Sequence, residues 1–428
     1  MLFWNLVHLV LLYLKKEEKS RSGEKFGKAN PLELKKLDEY NAEMAELGLV
    51  SRVVWIHAVS VGESLSVLEF TKQLSLRNYF VVFTTTNIKA SRLICCKLPK
   101  HCVHQYSPYP SIRFVKRFIK TWEISKTFFA ESEIFPNVIW YLYKKNIDVF
   151  LPNARISDRS VARWCKVKWF IKWVLKMYAC IYASSELEWQ KFKKLSDGQA
   201  NIKCFGNLKV EASLKNKDKI LSDFTSSKPN TIVTKCKSIR QLYKDKKIIV
   251  FGSIHGTEFF HLIWQFSIIL KKLNCIGIFV PRHLEEQYKL TEMITTNDLS
   301  FAMWSNFNDK EKTDTLIIDD FGILPYLYNI ADFAVVCGSF AEGIGGHNPF
   351  EAIALDKPTL IGNFCEKEKD IIEMLVANNA IIQTSHLSEH LLKLVNDTEK
   401  QKMLIQNGKK VVENNSNVVD KLLKDMNL

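Results

Sequence analysis

The chain has 428 residues, 47% hydrophobic and 25% charged. That composition excludes a disordered chain, and the length exceeds one ordinary core, so two domains or more are expected. Lys and Arg number 60 against 46 Asp and Glu, and the surplus of +14 points to anionic partners such as nucleic acid, acidic lipid or phosphorylated substrates. The ten cysteines form no C-x-x-C pair and no zinc-like cluster, which fits reduced thiols in a cytoplasmic setting.

The first stretch, Met1 to Leu14, is MLFWNLVHLVLLYL, followed by Lys15 and Lys16. It is shorter than the ~20 apolar residues a comfortable span needs and carries no small-residue cleavage site. Residues 1–16 read as a membrane anchor or interfacial helix with its lysines on the cytoplasmic side; a buried core helix is the other reading. Residues 15–50 are charged and read as a helical connector.

From Arg52 the pattern alternates. Val53–His57, Tyr79–Thr84, Thr127–Ala130, Val149–Pro152 and Cys180–Ala183 read as strands with helical stretches between them, which predicts a parallel sheet covered on both faces. A polar, lysine-rich stretch with Ser226, Ser227 and Pro229 near its middle then breaks the pattern. Alternation resumes with Ile248–Gly252, Ile276–Val280, Thr315–Ile318, Phe333–Cys337 and Thr359–Ile361. The expected organisation is an N-terminal α/β domain over residues 17–215, a linker over 216–246, and a C-terminal α/β domain over 247–428.

Two helical segments are rich in bases. Arg113, Lys116, Arg117 and Lys120 share one helix face, and Lys168, Lys172 and Lys176 recur every four residues among Trp164, Trp169, Phe170, Trp173 and Tyr178. Such helices suit an anionic membrane interface; lysines that are simply solvated are the alternative. No RRM, KH or zinc-finger pattern accompanies the charge, so no nucleic-acid partner is expected.

The chemistry-bearing residues gather where strands end. WIHAVSVGES runs from a strand through Gly62 into a helix, the place where α/β proteins hold ligands. Its Glu63 stands near the helix start, where the dipole favours the charged form; it serves as a general base or only as a cap. Glu131 and Glu133 follow the next strand and share a side if that strand continues. The loops Asn153 to Ser160 and Gly206 to Lys209 complete a polar rim. In the second half, Gly252 to Gly256 offers backbone amides to a phosphate, and Arg282, after Pro281, offers a paired fork of donors. Gly338 to Glu351 is a glycine-rich loop feeding a helix, with Glu351 suited to ribose hydroxyls. There is no P-loop motif and no metal-ligand spacing.

WIHAVSVGES, AESEIFPN, NARISDRS, GNLK, GSIHGTE, PRH and GSF…GGHNPFEA occur in the order seen in the Kdo (3-deoxy-D-manno-octulosonic acid) transferases, which this chain resembles from about Arg52 to Ile361. The resemblance implies a GT-B glycosyltransferase, two Rossmann-like domains facing a cleft. It implies a CMP-Kdo donor, a lipid IV(A) acceptor, a place on the cytoplasmic face of the cell inner membrane, and neither metal nor cofactor. It assigns Glu63 as general base, Glu131 and Lys209 to transition-state stabilisation, and Pro281, Arg282, Phe321, Gly322, Ile323, Asn348, Pro349, Phe350 and Glu351 to CMP binding. Three departures stand out: Ile323 replaces the family's glutamate, Phe135 its tryptophan, and Gly256 its acidic residue. A GT-B enzyme using a UDP-sugar and a non-catalytic membrane-associated binding protein are the rival readings.

Overall fold

The computed structural model describes residues 21–308 and 310–428. The apolar stretch 1–16 expected as an anchor lies outside the described residues. The described chain up to Ala212 forms one compact unit together with Asn417–Leu428, and Ser213–Ser416 forms a second.

The first unit is built on seven parallel strands: β1 (Val53–His57), β2 (Phe80–Thr85), β3 (Cys102–Tyr106), β4 (Ile124–Phe129), β5 (Asp148–Ala154), β6 (Cys180–Ala183) and β7 (Ile202–Cys204), in the order β3-β2-β1-β4-β5-β6-β7. Every residue of β1 and β2 is buried, because helices cover both faces of a parallel sheet. Alternate side chains enter separate cores. Val53, Trp55, Phe80 and Val82 pack on one face, and Val54, Ile56, Val81 and Phe83 on the other, as the two-residue period of a strand requires.

The second unit repeats the plan with β8 (Lys247–Ile254), β9 (Cys275–Pro281), β10 (Phe301–Met303), β11 (Thr315–Ile317), β12 (Phe333–Val336), β13 (Thr359–Ile361) and β14 (Ile382–Gln383), ordered β10-β11-β9-β8-β12-β13-β14. Its faces divide in the same way, Ile248 and Val250 to one core and Ile249 and Phe251 to the other.

Each sheet therefore reverses its strand order near its middle, β1 beside β4 and β8 beside β12; in the second sheet β10 and β11 are also exchanged at the edge. The connections leave such a pair in opposite directions, which opens a crevice beyond the carboxyl ends of the strands.

The boundaries differ from expectation in two places. Where a linker was expected over 216–246, the helices Leu208–Thr225 and Thr231–Leu242 run, and Ile220, Val233, Cys236 and Ile239 are buried in the second unit's core. Their lysine-rich outer faces disguise an amphipathic pair. The helix Val418–Asp425 belongs to the first unit, where Val418, Val419, Leu422 and Leu423 join the core face of Ile56 and Phe83. Glu211 accepts from the Val419 N–H at 2.9 Å, satisfying a donor at that helix start. Tyr182 Oη and Lys203 Nζ both reach Asp425, at 2.8 and 2.5 Å. The helical stretch that WIHAVSVGES enters is two helices, Val61–Ser66 and Leu68–Leu76.

Because Leu422 is enclosed by the sheet, Leu422→Ala is expected to destabilise the first unit by about 2–5 kcal/mol, read by urea unfolding with amide exchange followed in β1 and β6. Unchanged protection there would mean that the C-terminal helix is not integral to this core.

Candidate active site

At the reversal point of the first sheet, Ser60 caps the helix Val61–Ser66 by accepting from the Glu63 N–H at 3.2 Å. In return the Glu63 carboxylate accepts from Ser60 Oγ at 2.9 Å and from the Val59 N–H at 2.8 Å. This reciprocal pattern is a capping box. It fixes the Glu63 carboxylate, and two accepted bonds leave part of its acceptor capacity open.

Across the reversal point, β4 stops at Phe129. Glu131 turns into the left-handed region at φ 57°, so the expected alternation of Glu131 and Glu133 along a continuing strand does not occur. The two carboxylates take separate environments. Glu131 meets Lys209 at 3.7 Å, both side chains mostly buried. For Glu133, burial pushes the carboxyl up to about 7, with the charge of Glu63 as the second cause.

Asn153, buried at the end of β5, joins the rim. Its Nδ2 donates to Glu131 Oε1 at 3.3 Å and its Oδ1 accepts from the Leu208 N–H at 3.0 Å. The Lys209 N–H donates to Asn207 Oδ1 at 2.9 Å, and the Arg155 N–H to the Glu131 carbonyl at 3.2 Å. Three strand-end loops thus converge on the Glu131–Lys209 pair, as the polar rim implied. Glu188 holds the neighbouring loop by accepting from the Ile156 N–H at 2.6 Å.

At the reversal point of the second sheet, the organiser is the fully buried Glu258. Its carboxylate accepts from the N–H groups of His255 at 3.0 Å, Gly338 at 2.8 Å and Phe340 at 2.9 Å. It thereby ties the loop after β8 to the loop after β12. Burial pushes this carboxyl up, against the pull of those N–H groups.

The nucleotide residues expected here follow β9, β11 and β12. The Arg282 N–H donates to the Ile254 carbonyl at 2.9 Å. Glu351, in the helix Phe350–Ala354, is pushed up by burial and held back by the Arg282 charge, so these two are electrostatic neighbours. Asn348 Oδ1 accepts from the Phe350 N–H at 3.1 Å, and Phe350 is buried behind Pro349. After β11, Phe321 is 70% exposed while Ile323 is buried in the core. Gly322 sits between them at φ 77°, a conformation that glycine adopts without strain. With Ile323 turned inward, this segment presents its backbone and the Phe321 ring.

Three groups went unassigned in the sequence: Glu133 with its raised carboxyl, Asn153 and Glu258. Each lies inside a recognised motif, but its role comes from long-range contact.

Comparison with known proteins agrees with this layout. The 3-deoxy-D-manno-octulosonic-acid transferase (kdotransferase) family matches residues 20–212, and glycosyl transferases group 1 matches residues 321–411. A 3-deoxy-D-manno-octulosonic acid transferase of Rickettsia felis is 31% identical over 394 residues, 88% of this chain and 79% of its own length. That of Haemophilus influenzae is 27% identical, covering 86% of this chain and 85% of its own. Among solved structures, a glycosyltransferase from Rickettsia africae superposes with a TM-score of 0.59 at 14% identity, over 87% of this chain and 97% of that one. Anabaena Alr3699/HepE in complex with UDP gives 0.61 at 12% identity, over 88% and 99%. These two likenesses establish the GT-B type of fold. The sequence relationship goes further: the chain belongs to the 3-deoxy-D-manno-octulosonic acid transferase family and is a glycosyltransferase.

Proposed function

We propose that this enzyme moves Kdo from CMP-Kdo to lipid IV(A) in lipopolysaccharide biosynthesis, with inversion, at the cytoplasmic face of the cell inner membrane. The observation that carries the mechanism is the pairing of Glu63 with Glu133. Two nearby carboxyls in unlike environments can divide the labour of catalysis: burial pushes Glu133 up to about 7, and Glu63 is held in place by two donors. Glu63 takes the proton of the acceptor hydroxyl as that oxygen attacks the anomeric carbon of Kdo. The bond from that carbon to the phosphate oxygen breaks, and its electron pair leaves with CMP. Lys209, held by Glu131, offers positive charge to the developing anion. Pro281, Arg282, the Phe321–Ile323 backbone and Asn348 to Glu351 hold CMP.

The membrane reading rests on the helix Lys168–Leu175. Ile171, Val174 and Leu175 are buried in the first unit, while Trp169 is 76% and Trp173 45% exposed. Lys168 and Lys172 flank these rings and share Asp197 at 2.5 and 3.3 Å. Tryptophan with lysine on an outward face suits the headgroup region. No helix of the described residues is long and apolar enough to cross a membrane.

Kdo transfer from CMP-Kdo to lipid IV(A), assayed without added divalent metal, is expected in the wild type and to fall at least about 100-fold in Glu63→Gln, with CMP binding kept. A variant of near-normal activity would remove the general-base assignment. Lys209→Met is expected to lower kcat more than it raises KM, since the charge acts on the transition state.

Glu133→Gln provides a stability readout. The folded-state carboxyl lies above its unfolded value, so its contribution is present at low pH and is lost as pH rises through about 7. The variant should be more stable than wild type at pH 8, by roughly 1–3 kcal/mol, and near wild type at pH 5; equal differences at both pH values would contradict the raised carboxyl. For the membrane surface, the double substitution Trp169→Ser, Trp173→Ser should weaken co-sedimentation with vesicles of anionic phospholipid about tenfold or more. Undiminished binding would place the contact elsewhere.

A further inference from the structure

Two histidine side chains meet in the second unit with no role so far. His255, after β8, and His347, at the end of the glycine-rich loop, approach Nε2 to Nε2 at 2.8 Å, with rings nearly parallel at 11° and centroids 5.1 Å apart. Contact at that distance requires one Nε2 to donate and the other to accept. The pair is held from several sides. Glu258 clamps the backbone of both loops. Gly338, at φ 79°, leaves no room beside His347, whose ring carbon would lie 2.5 Å from any added Cβ. The His283 ring stands edge-on to His255 at 5.4 Å.

The charges facing the pair are Arg282 and His283 after β9, Lys367 after β13, and Glu286 on the short helix Leu284–Glu286, together with the clamping Glu258. Glu286 is itself engaged by the Gly256 N–H at 3.2 Å. Arg282 and Lys367 oppose a proton on the pair and Glu286 favours one, so an entering anion is what would raise its proton affinity.

We propose that His255 and His347 form a proton-accepting oxyanion subsite, in which arrival of the donor's anionic group is coupled to uptake of one proton from solvent by the pair. This rests on the nucleotide reading of the second unit. The proton enters on the histidine whose Nε2 donates, making it an imidazolium while the Nε2–H···Nε2 bond persists. A second proton would break that bond, so the capacity is one. In the free protein burial is the first cause and the neighbouring charges the next, and they hold His255 down to about 4 and His347 to about 3. The pair is therefore neutral at pH 7. An oxyanion raises its proton affinity, and ligand affinity then falls as pH rises through the bound-state value. The oxyanion is either the phosphate or the carboxylate of the sugar acid.

Calorimetry between pH 6 and 8, in buffers of different ionisation enthalpy, separates these with cytidine, CMP and CMP-Kdo. Expected for wild type is no proton uptake with cytidine and up to about one proton with an oxyanion ligand: with CMP if the phosphate is bound, with CMP-Kdo alone if the carboxylate is. His255→Gln and His347→Gln should bind cytidine as wild type does, which reports correct folding, lose the uptake, and bind the oxyanion ligand about tenfold more weakly. Uptake that persists in both variants, or its absence from wild type with both CMP and CMP-Kdo, overturns the proposal. If wild type binds no cytidine compound, the nucleotide reading falls, and inorganic phosphate decides the subsite: histidine-dependent uptake retains it, and none removes it.

Discussion

The constraint on which this molecule depends is the reversal of strand order near the middle of each sheet. Parallel strands need crossover connections of one hand, so wherever the order reverses, neighbouring strands send their chains away from each other. The loops after β1 and β4, and those after β8 and β12, are left without a covering helix above them. Their backbone donors must still be satisfied. In the first unit a capping box built on Ser60 and Glu63 does part of this, and Asn153 ties the adjoining loops. In the second, one buried carboxylate, Glu258, accepts from three N–H groups on two loops. The same unmet hydrogen-bonding need that makes such crevices costly places charged side chains at them.

Legibility in the sequence followed burial. Central strands, apolar along their whole length, were readable, as VVWIH and the run through Ile248–Gly252 illustrate. The four strands that escaped, β3, β7, β10 and β14, are the four sheet edges. β7, β10 and β14 have three residues or fewer. β3 carries His104 and Gln105, polar yet buried because Trp122 Nε1 donates to the Gln105 amide oxygen and Thr85 Oγ1 meets His104 Nε2, both at 2.9 Å. Partners tens of residues away made these positions tolerable, and no local pattern reports such partners.

The site was legible as motifs and not as contacts. Glu63, Glu131, Lys209, Arg282 and Glu351 were singled out because each stands in an unusual stretch at a strand end. Which of them meet was not readable. The alternation argument for Glu131 and Glu133 failed at a single backbone angle, φ 57° at Glu131, and that turn is what gives one carboxylate a lysine and the other a desolvated pocket. Period-2 reasoning holds only while the strand lasts, and the candidate site residues begin where it ends.

The two readings of Glu63, helix cap and general base, are one in physical terms. A free glutamate samples many rotamers, and a base must be held within hydrogen-bond reach of its proton donor. The capping bonds from Val59 and Ser60 supply that fixation locally, within four residues, without drawing on the rest of the core. Across the reversal point, burial pushes the Glu133 carboxyl up to about 7, with the charge of Glu63 as the second cause. On the proposed reading of Glu63 as base, such a neighbour lessens the second negative charge beside it, while the bonds from Val59 and Ser60 hold the Glu63 carboxylate in place.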